Sequence, residues 1–425
     1  MLNQDLIVQF YVYKNVHWPM FEELYRYLKE HSLAKEIVLC LPNIPNLVTA
    51  DDFGLFETLL RLGERIVVHP QDAHADITFI ADAIPGKVFG CGHIVNVGHG
   101  TISKGYYFSD GLWTDRENWV DLLCVPGPHA AEQLSSQLST AVVATGMPKM
   151  DPVFSGMLNR GTLCSKLGID PLKRIVLYAP TFNVDLTSAV DFAEHFRELE
   201  SDEYTMLVKL HGSTPPMLVQ HYRQTAMSSR NIRFIEDTNL APYLAGADLM
   251  ISDVSSAFME FMALDKPVIL YDNPHQQCYH GYDVRNIEYA WRDLATRVDS
   301  FESLQQVLPR ILKEGDSKSE LRKTYRQRLF SDFAGHASEN VWKSAVEVAS
   351  RTEPKTIPVC SFIVTLTEEN APLVREQLSG LQFYSVMPLE VVIISDGSPI
   401  ARRLTDVLVR FNEFYSLQVR EHSGG

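Results

Sequence analysis

The chain has 425 residues, enough for two or three domains with cores of their own, and its 45% apolar and 21% charged residues mark a globular protein. Lys plus Arg number 38 against 53 Asp plus Glu, and the resulting charge of −15 argues against a nucleic-acid binder and against broad adhesion to anionic lipid. No apolar run approaches the roughly 20 residues of a membrane span, and Met1-Leu2-Asn3-Gln4-Asp5 lacks the basic start of a signal peptide, so a cytoplasmic protein is expected.

The first part of the chain alternates short apolar runs with helical patterns. Strands are expected at Leu6–Tyr13, Glu36–Leu41, Arg65–His69, Asp76–Ala81, Lys87–Val97, Leu122–Val125 and Ala141–Thr145, with helices at Trp18–Glu30 and Phe53–Leu62. The second part repeats the scheme. Its strands are expected at Arg174–Ala179, Thr205–Leu210, Ile232–Ile235, Leu249–Ser252 and Pro267–Tyr271, with helices at Asp191–Glu200 and Ser256–Leu264. Short β-branched runs separated by helices predict parallel sheets in an α/β protein, with two Rossmann-like domains facing across a cleft, the GT-B layout.

The expected domains are 1–160, 161–350 with trailing helices, a linker at 351–358, and an incomplete unit at 359–425. The stretch Arg310–Arg328 holds seven basic residues, read either as a solvated helix face or as a docking patch for a membrane or an anionic polymer. Six cysteines are scattered without metal-ligand spacing and read as reduced, mostly buried hydrophobes. No carboxylate pair has ligand-like spacing, so no metal site and no cofactor is assigned.

Chemistry gathers where strands end. After the run to Val97 comes Gly98-His99-Gly100-Thr101-Ile102-Ser103-Lys104-Gly105. Glycines on both sides of His99 let the backbone bend and a ligand approach, Thr101 can cap a following helix, and Lys104 adds a point charge for phosphate. His99 is therefore a candidate general base; the plainer alternative is a strand-end His-Gly turn. Further on, Thr181 follows one strand, Lys209 and His211 follow another, and Asp253, Ser255 and Ser256 close a third just before a helix. Such a hydroxyl pair at a helix start suits a pyrophosphate; the plainer alternatives are a cap at Ser255, a structural histidine at His211, and ordinary solvated or capping acids at Asp253 and Glu260.

These stretches carry a resemblance. His99-Gly100-Thr101-x-x-Lys104-Gly105, Gly146-x-Pro148-Lys149-x-Asp151, Leu177-Tyr178-Ala179-Pro180-Thr181, Lys209-Leu210-His211, Ser252-Asp253-Val254-Ser255-Ser256 with Glu260 and Lys266-Pro267, and Gly335-His336-Ala337-Ser338 occur in order. Together they resemble the CDP-glycerol glycerophosphotransferase family of teichoic-acid and capsule polymerases. Gly212, Val254, Glu260, Lys149 and Asn183 depart from the family's usual residues.

The resemblance implies a GT-B fold and attack of an acceptor hydroxyl on the β-phosphate of a CDP-activated alditol, with CMP leaving. It implies that His99 takes the hydroxyl proton and that His211 donates to the pyrophosphate. Gly100, Thr101, Lys104, Thr181, Lys209, Asp253, Ser255, Ser256 and Glu260 would bind donor or phosphate. The implied partners are a CDP-linked glycerol or ribitol and a polymer or lipid-linked acceptor, met at the inner face of the membrane through peripheral contact. The tail, with Val359–Thr365 and Leu389–Ser398, is similar to the opening of a family 2 glycosyltransferase of GT-A fold. Competing readings are a GT-B glycosyltransferase that uses a nucleotide sugar, a sugar-nucleotide epimerase, and a non-catalytic polymer-binding scaffold, which would need no base.

Overall fold

A computed structural model describes residues 5–42, 53–82, 88, 90–101, 117–279, 281–355, 360–374, 376–377, 389–395, 398–399, 403 and 416–421. Seven strands form the first sheet: β1 Ile7–Tyr11, β2 Glu36–Cys40, β3 Arg65–Val67, β4 Ile77–Ile80, β5 His93–Asn96, β6 Leu122–Val125 and β7 Ala141–Ala144. They lie in the order β3-β2-β1-β4-β5-β6-β7, and every pair is parallel. The second sheet has β8 Arg174–Tyr178, β9 Tyr204–Val208, β10 Ile232–Phe234, β11 Leu249–Ser252, β12 Val268–Tyr271 and β13 Thr296–Val298. Its order is β10-β9-β8-β11-β12-β13, again all parallel.

Parallel strands must be joined by crossovers that cover both faces, which is why these strands read as continuous apolar runs. The helix Trp18–Glu30 shows how the cover is made. Its buried Trp18, Phe21, Leu24 and Leu28 fall on one stripe and pack with Phe10 and Phe79 of β1 and β4, whose rings stack with centroids 5.4 Å apart. In both sheets the strand order reverses once, between β1 and β4 and between β8 and β11. Loops at the carboxyl ends on either side of such a reversal diverge and leave a crevice for ligands.

Two departures from the predicted elements have local causes. The run Lys87–Val97 yields only the four residues of β5, because Gly90 and Gly92 turn the chain at positive φ. Gly92 passes so close to β4 that a Cβ there would lie 2.2 Å from the Asp76 carbonyl oxygen. The expected helix Asp191–Glu200 is instead a short helix Ser188–Phe192 followed by a 3-10 turn Phe196–Leu199.

The chain crosses between the two sheets earlier than residue 160. Met147, Met150 and Val153 pack into the core of the second sheet, whereas Val341, Trp342 and Ala345 of the late helix Ala337–Arg351 pack into that of the first. The two passages touch. Gly146, at φ 90°, lies so close that a Cβ would be 2.8 Å from Ala337 Cβ. The Asp151 carboxylate accepts from the N–H groups of Ala337 and Ser338 at 2.9 and 2.8 Å and so caps the returning helix. The segment read as a linker is docked at its start: Lys355 Nζ donates to the Asn118 carbonyl and to Thr140 Oγ1, both at 2.8 Å.

A third, three-stranded parallel sheet follows, with β14 Cys360–Leu366, β15 Leu389–Ser395 and β16 Ser416–Glu421 in that order. In the basic run 310–328, Arg310, Lys313, Lys323 and Arg328 are exposed and only Arg322 is buried. Arg322 is buried between Asp265 and Asp316, Arg326 stacks on Phe333, Arg328 lies over Trp291, and Lys323 pairs with Glu320. Cys40, Cys91, Cys124 and Cys164 are buried free thiols, and Cys278 is an exposed one. Among the described residues no helix is long and apolar enough to cross a membrane.

Candidate active site

On the first sheet the carboxyl ends of β1, β4 and β5 meet beside the strand-order reversal. Gly98, at φ 65°, turns the chain out of β5, and Asn96 Oδ1 accepts the Gly98 N–H at 2.9 Å to fix that turn. His99 then faces back over β4. Its Nδ1 lies 3.1 Å from the Ala81 carbonyl oxygen and 3.3 Å from Asp82 Oδ1. Both neighbours are acceptors, so Nδ1 carries the proton and the lone pair of the neutral ring sits on Nε2.

Asp82 is the centre of a cluster that sequence reading passed over. Its Oδ2 accepts from Tyr13 Oη and Lys14 Nζ, each at 2.8 Å, and lies 3.5 Å from Nε2 of the fully buried His17. Burial works against the Asp82 charge, but hydrogen bonds from His17 and His99 with the positive charges nearby hold its carboxyl well below the usual range. The two imidazoles part company. Burial pushes His17 down despite Asp82, whereas at His99 the desolvation is outweighed by the Asp82 hydrogen bond and charge, which move it up. A signal was available: Asp82 directly follows the apolar run of β4, the strand on one side of the reversal.

On the second sheet, Asp253 directly follows β11. It is fully buried, with Oδ1 accepting Thr181 N–H at 2.7 Å and Oδ2 accepting the N–H and hydroxyl of Ser188 at 2.8 Å each, so it braces the loop after β8. Glu260 is also interior, paired with buried Lys149 at 2.6 Å. Both acids were expected to bind donor; in the structure both are buried and engaged with neighbouring residues of the protein. Ser255 Oγ accepts Ala257 N–H at 3.3 Å in a turn just before the helix Ala257–Met262, whereas Ser256, the residue at that helix's N-cap, reaches a cavity that it shares with His99, Gly100 and Thr101. A Cβ on Gly100 would stand 3.8 Å from Ser256 Oγ, an ordinary contact distance, so the two loops approach each other here.

His211 follows β9 and stacks on Phe182, with ring centroids 4.6 Å apart. Its Nδ1 accepts Ser213 N–H at 3.0 Å, so the ring proton is on Nε2, the donor form. Lys209 lies in the same loop, its Nζ donating to the Leu210 carbonyl at 3.2 Å; burial lowers its pKa to about 8, against the pull of Asp237. His211, Lys209 and Thr181 sit at the ends of the adjacent strands β8 and β9 and do not line the His99 cavity. Lys104 falls outside the described residues. Among the described residues no group of three or more His, Cys, Asp or Glu is placed to hold a metal ion.

This arrangement can be set beside known proteins. Residues 83–347, more than half of the chain, match the family CDP-glycerol:poly(glycerophosphate) glycerophosphotransferase. The chain belongs to that family. Within the glycerophosphotransferase family it is 33% identical to a teichoic acid glycerol-phosphate primase of Bacillus spizizenii over 129 residues, 30% of this chain and 32% of the relative. It is 26% identical to a teichoic acid poly(ribitol-phosphate) polymerase of the same organism, over 50% of this chain and 34% of the relative. These matches thus span about a third of those relatives' length. In fold it is similar to the wall teichoic acid polymerase TagF, with a TM-score of 0.60 at 14% identity over 82% of this chain and 90% of that one. S. aureus MnaA bound to UDP is also similar in fold, at TM-score 0.53 and 13% identity over 83% of this chain and 100% of that one. The α/β architecture with parallel sheets and GT-B-like neighbours is as expected.

Proposed function

We propose that the chain is a transferase that moves an alditol phosphate from a CDP-activated donor, glycerol or ribitol, to a hydroxyl of a growing teichoic-acid-like or capsular polymer. In this reading the first two sheets are the facing domains of a GT-B enzyme, with the first on the acceptor side and the second on the nucleotide side. The observation that carries it is the placing of His99, oriented by Asp82, in one cavity with Ser256, in a chain of the glycerophosphotransferase family.

His99 Nε2 takes the proton of the acceptor hydroxyl as its oxygen forms a bond to the β-phosphorus. The bond from that phosphorus to the oxygen of CMP breaks, and CMP leaves with the electron pair. Asp82 is the positioning residue: it holds the tautomer and stabilises the imidazolium that forms. His211, with its proton on Nε2, donates to the pyrophosphate as charge builds there, while Lys209, Thr181, Ser255, Ser256 and the helix start at Ala257 hold the phosphates. We place Gly100 at the point of closest approach between the sides and Lys104 as a further phosphate contact. Asp253 and Glu260 act through the loop and helix they brace.

We read the third sheet as the start of a GT-A unit, and the working site as the inner face of a membrane that the enzyme meets peripherally. The test is phosphorus NMR of the protein with CDP-glycerol, CDP-ribitol, CMP-sugars and UDP-sugars plus a short polyol-phosphate acceptor. CMP with a new phosphodiester is the expected product; release of a nucleoside diphosphate without one overturns the assignment in favour of sugar transfer.

A further inference from the structure

Polar atoms buried without a hydrogen bond gather in the segment that follows β12. Asn286 is 1% exposed, and neither Oδ1 nor Nδ2 of its side chain has a partner among the described residues. Tyr289 Oη and Gln276 Oε1 are buried in the same condition. The Tyr289 ring is held in place, meeting Tyr282 edge-on with centroids 4.6 Å apart. Asn286 precedes the short helix Ile287–Ala290 but does not cap it through its side chain. Groups left in this state cost stability unless something supplies the missing bonds, so they point to a partner from outside the chain.

The segment lies against the donor side of the site. Buried Arg292 donates through Nη1 to the carbonyl of Asp253 at 3.1 Å and to that of Glu288 at 3.3 Å, and through Nη2 to that of Tyr271 at 2.7 Å. One guanidinium therefore ties the helix that carries Tyr289 to the ends of β11 and β12, just ahead of Ser255 and Ser256. In the sheet, β12 borders β11 on the side away from β8 and β9, whose ends carry Thr181, Lys209 and His211. Neighbouring strands are about 4.8 Å apart, so a diphosphate held across the ends of β8, β9 and β11 leaves the end of β12 as the next space along the sheet.

Hydrogen-bond type decides what fits there. A side-chain amide presents one acceptor and one donor group whichever way it is turned, so its occupant must both donate and accept. Fully ionised phosphate oxygens only accept, and would leave the amide oxygens of Asn286 and Gln276 unmatched. A hydroxyl does both. We infer that Asn286 and Tyr289 form a subsite for the free hydroxyls of the alditol that the donor carries, next to the phosphate held at Ser255 and Ser256. The inference rests on the phosphotransfer reading for the identity of the carrier, and adds which residues recognise the transferred group.

The test is calorimetry on the full chain without acceptor, comparing CDP-glycerol with the propyl ester of CDP, which lacks glycerol's free hydroxyls, and with UDP-sugars in parallel. The wild type is expected to bind CDP-glycerol at least tenfold more tightly than the propyl ester. That preference should fall at least threefold in the near-isosteric Asn286→Leu and in Tyr289→Phe, with propyl-ester affinity within twofold of wild type. The thermal midpoint of the unliganded protein should hold or rise in Asn286→Leu, because an unpaired amide gives way to an apolar group. An undiminished preference in both variants overturns the subsite. So does equal weakening of both CDP compounds, which would assign these groups to the nucleoside or to packing, and so does a lower midpoint in both variants, which would mean that the groups are already paired inside the protein. A wild type without the preference also overturns it, while the phosphotransfer reading stands as long as CDP-glycerol binds. A wild type that binds UDP-sugars and neither CDP compound removes the phosphotransfer reading, and the subsite with it.

Discussion

Asp82 Oδ1 lies 3.3 Å from His99 Nδ1, and that contact leaves Nε2 of the half-exposed ring as the free basic nitrogen. The rest of the cluster keeps the carboxylate charged: Tyr13 and Lys14 donate to its other oxygen, and His17 closes the buried side. A histidine held in this way is both oriented and made more basic.

Asp82→Asn keeps the shape and removes the charge. Transfer should fall by about 10²-fold or more, at the lower end of what general acid–base catalysis supplies. The direction of the pH change is fixed by the raised His99. The active form is the neutral ring, so kcat/KM rises as pH passes upward through the His99 pKa. Loss of Asp82 lowers that pKa, so the acid limb should move to lower pH while the plateau drops. An unmoved limb with normal kcat would mean that Asp82 is only a structural anchor.

Lys209 gives a second pH signature. With its pKa lowered to about 8, the ammonium is charged below that value and lost above it. KM for CDP-glycerol should therefore climb between about pH 7 and pH 9, and Lys209→Met should show a high KM with little slope over that range. A wild-type KM flat across the range would take Lys209 out of the donor site.

The buried pair of Lys149 and Glu260 joins the early crossover to the helix Ala257–Met262. Breaking one side, as in Lys149→Met, leaves an uncompensated interior charge and should cost about 3–5 kcal/mol in urea unfolding. The double change Lys149→Met with Glu260→Leu should recover much of that. Equal losses in single and double variants would show that packing, and not charge, is what the pair supplies.

The crossing point makes its own prediction. Gly146→Ala forces a Cβ to within 2.8 Å of Ala337 at a positive φ, and roughly 1–3 kcal/mol should be lost for the backbone alone. Asp151→Ala uncaps the returning helix and should lose about 1 kcal/mol. Amide exchange in residues 337–351 should speed up first in both variants. Uniform acceleration over the whole chain would contradict a local role for this contact.

Much of the architecture could be read from apolar runs alone, because strands covered on both faces leave few polar interruptions; β6 and β11 match their expected bounds. The sheet-edge strand β13 went unseen, since its three residues Thr296, Arg297 and Val298 carry no apolar run. Motif spacing marked the Gly98–Thr101 turn and the Ser255–Ser256 helix start, but it could not separate contact from support. Asp253 and Asp151 stand beside hydroxyls and turns as binding acids do, yet both spend their oxygens on backbone N–H groups. Asp82 was missed although it follows the apolar run of β4, because the strand order that brings β4 beside β5, and so Asp82 beside His99, is not displayed by local sequence.

The central claim is that His99 is the base in transfer of an alditol phosphate. It is tested most directly by single-turnover phosphorus NMR on wild type and His99→Ala with CDP-glycerol and a polyol-phosphate acceptor, with CDP-glycerol affinity measured on both. The account predicts CMP and a new phosphodiester from the wild type, and loss of both by at least 10²-fold in a variant that still binds CDP-glycerol normally. Turnover by His99→Ala within a few-fold of wild type would contradict it.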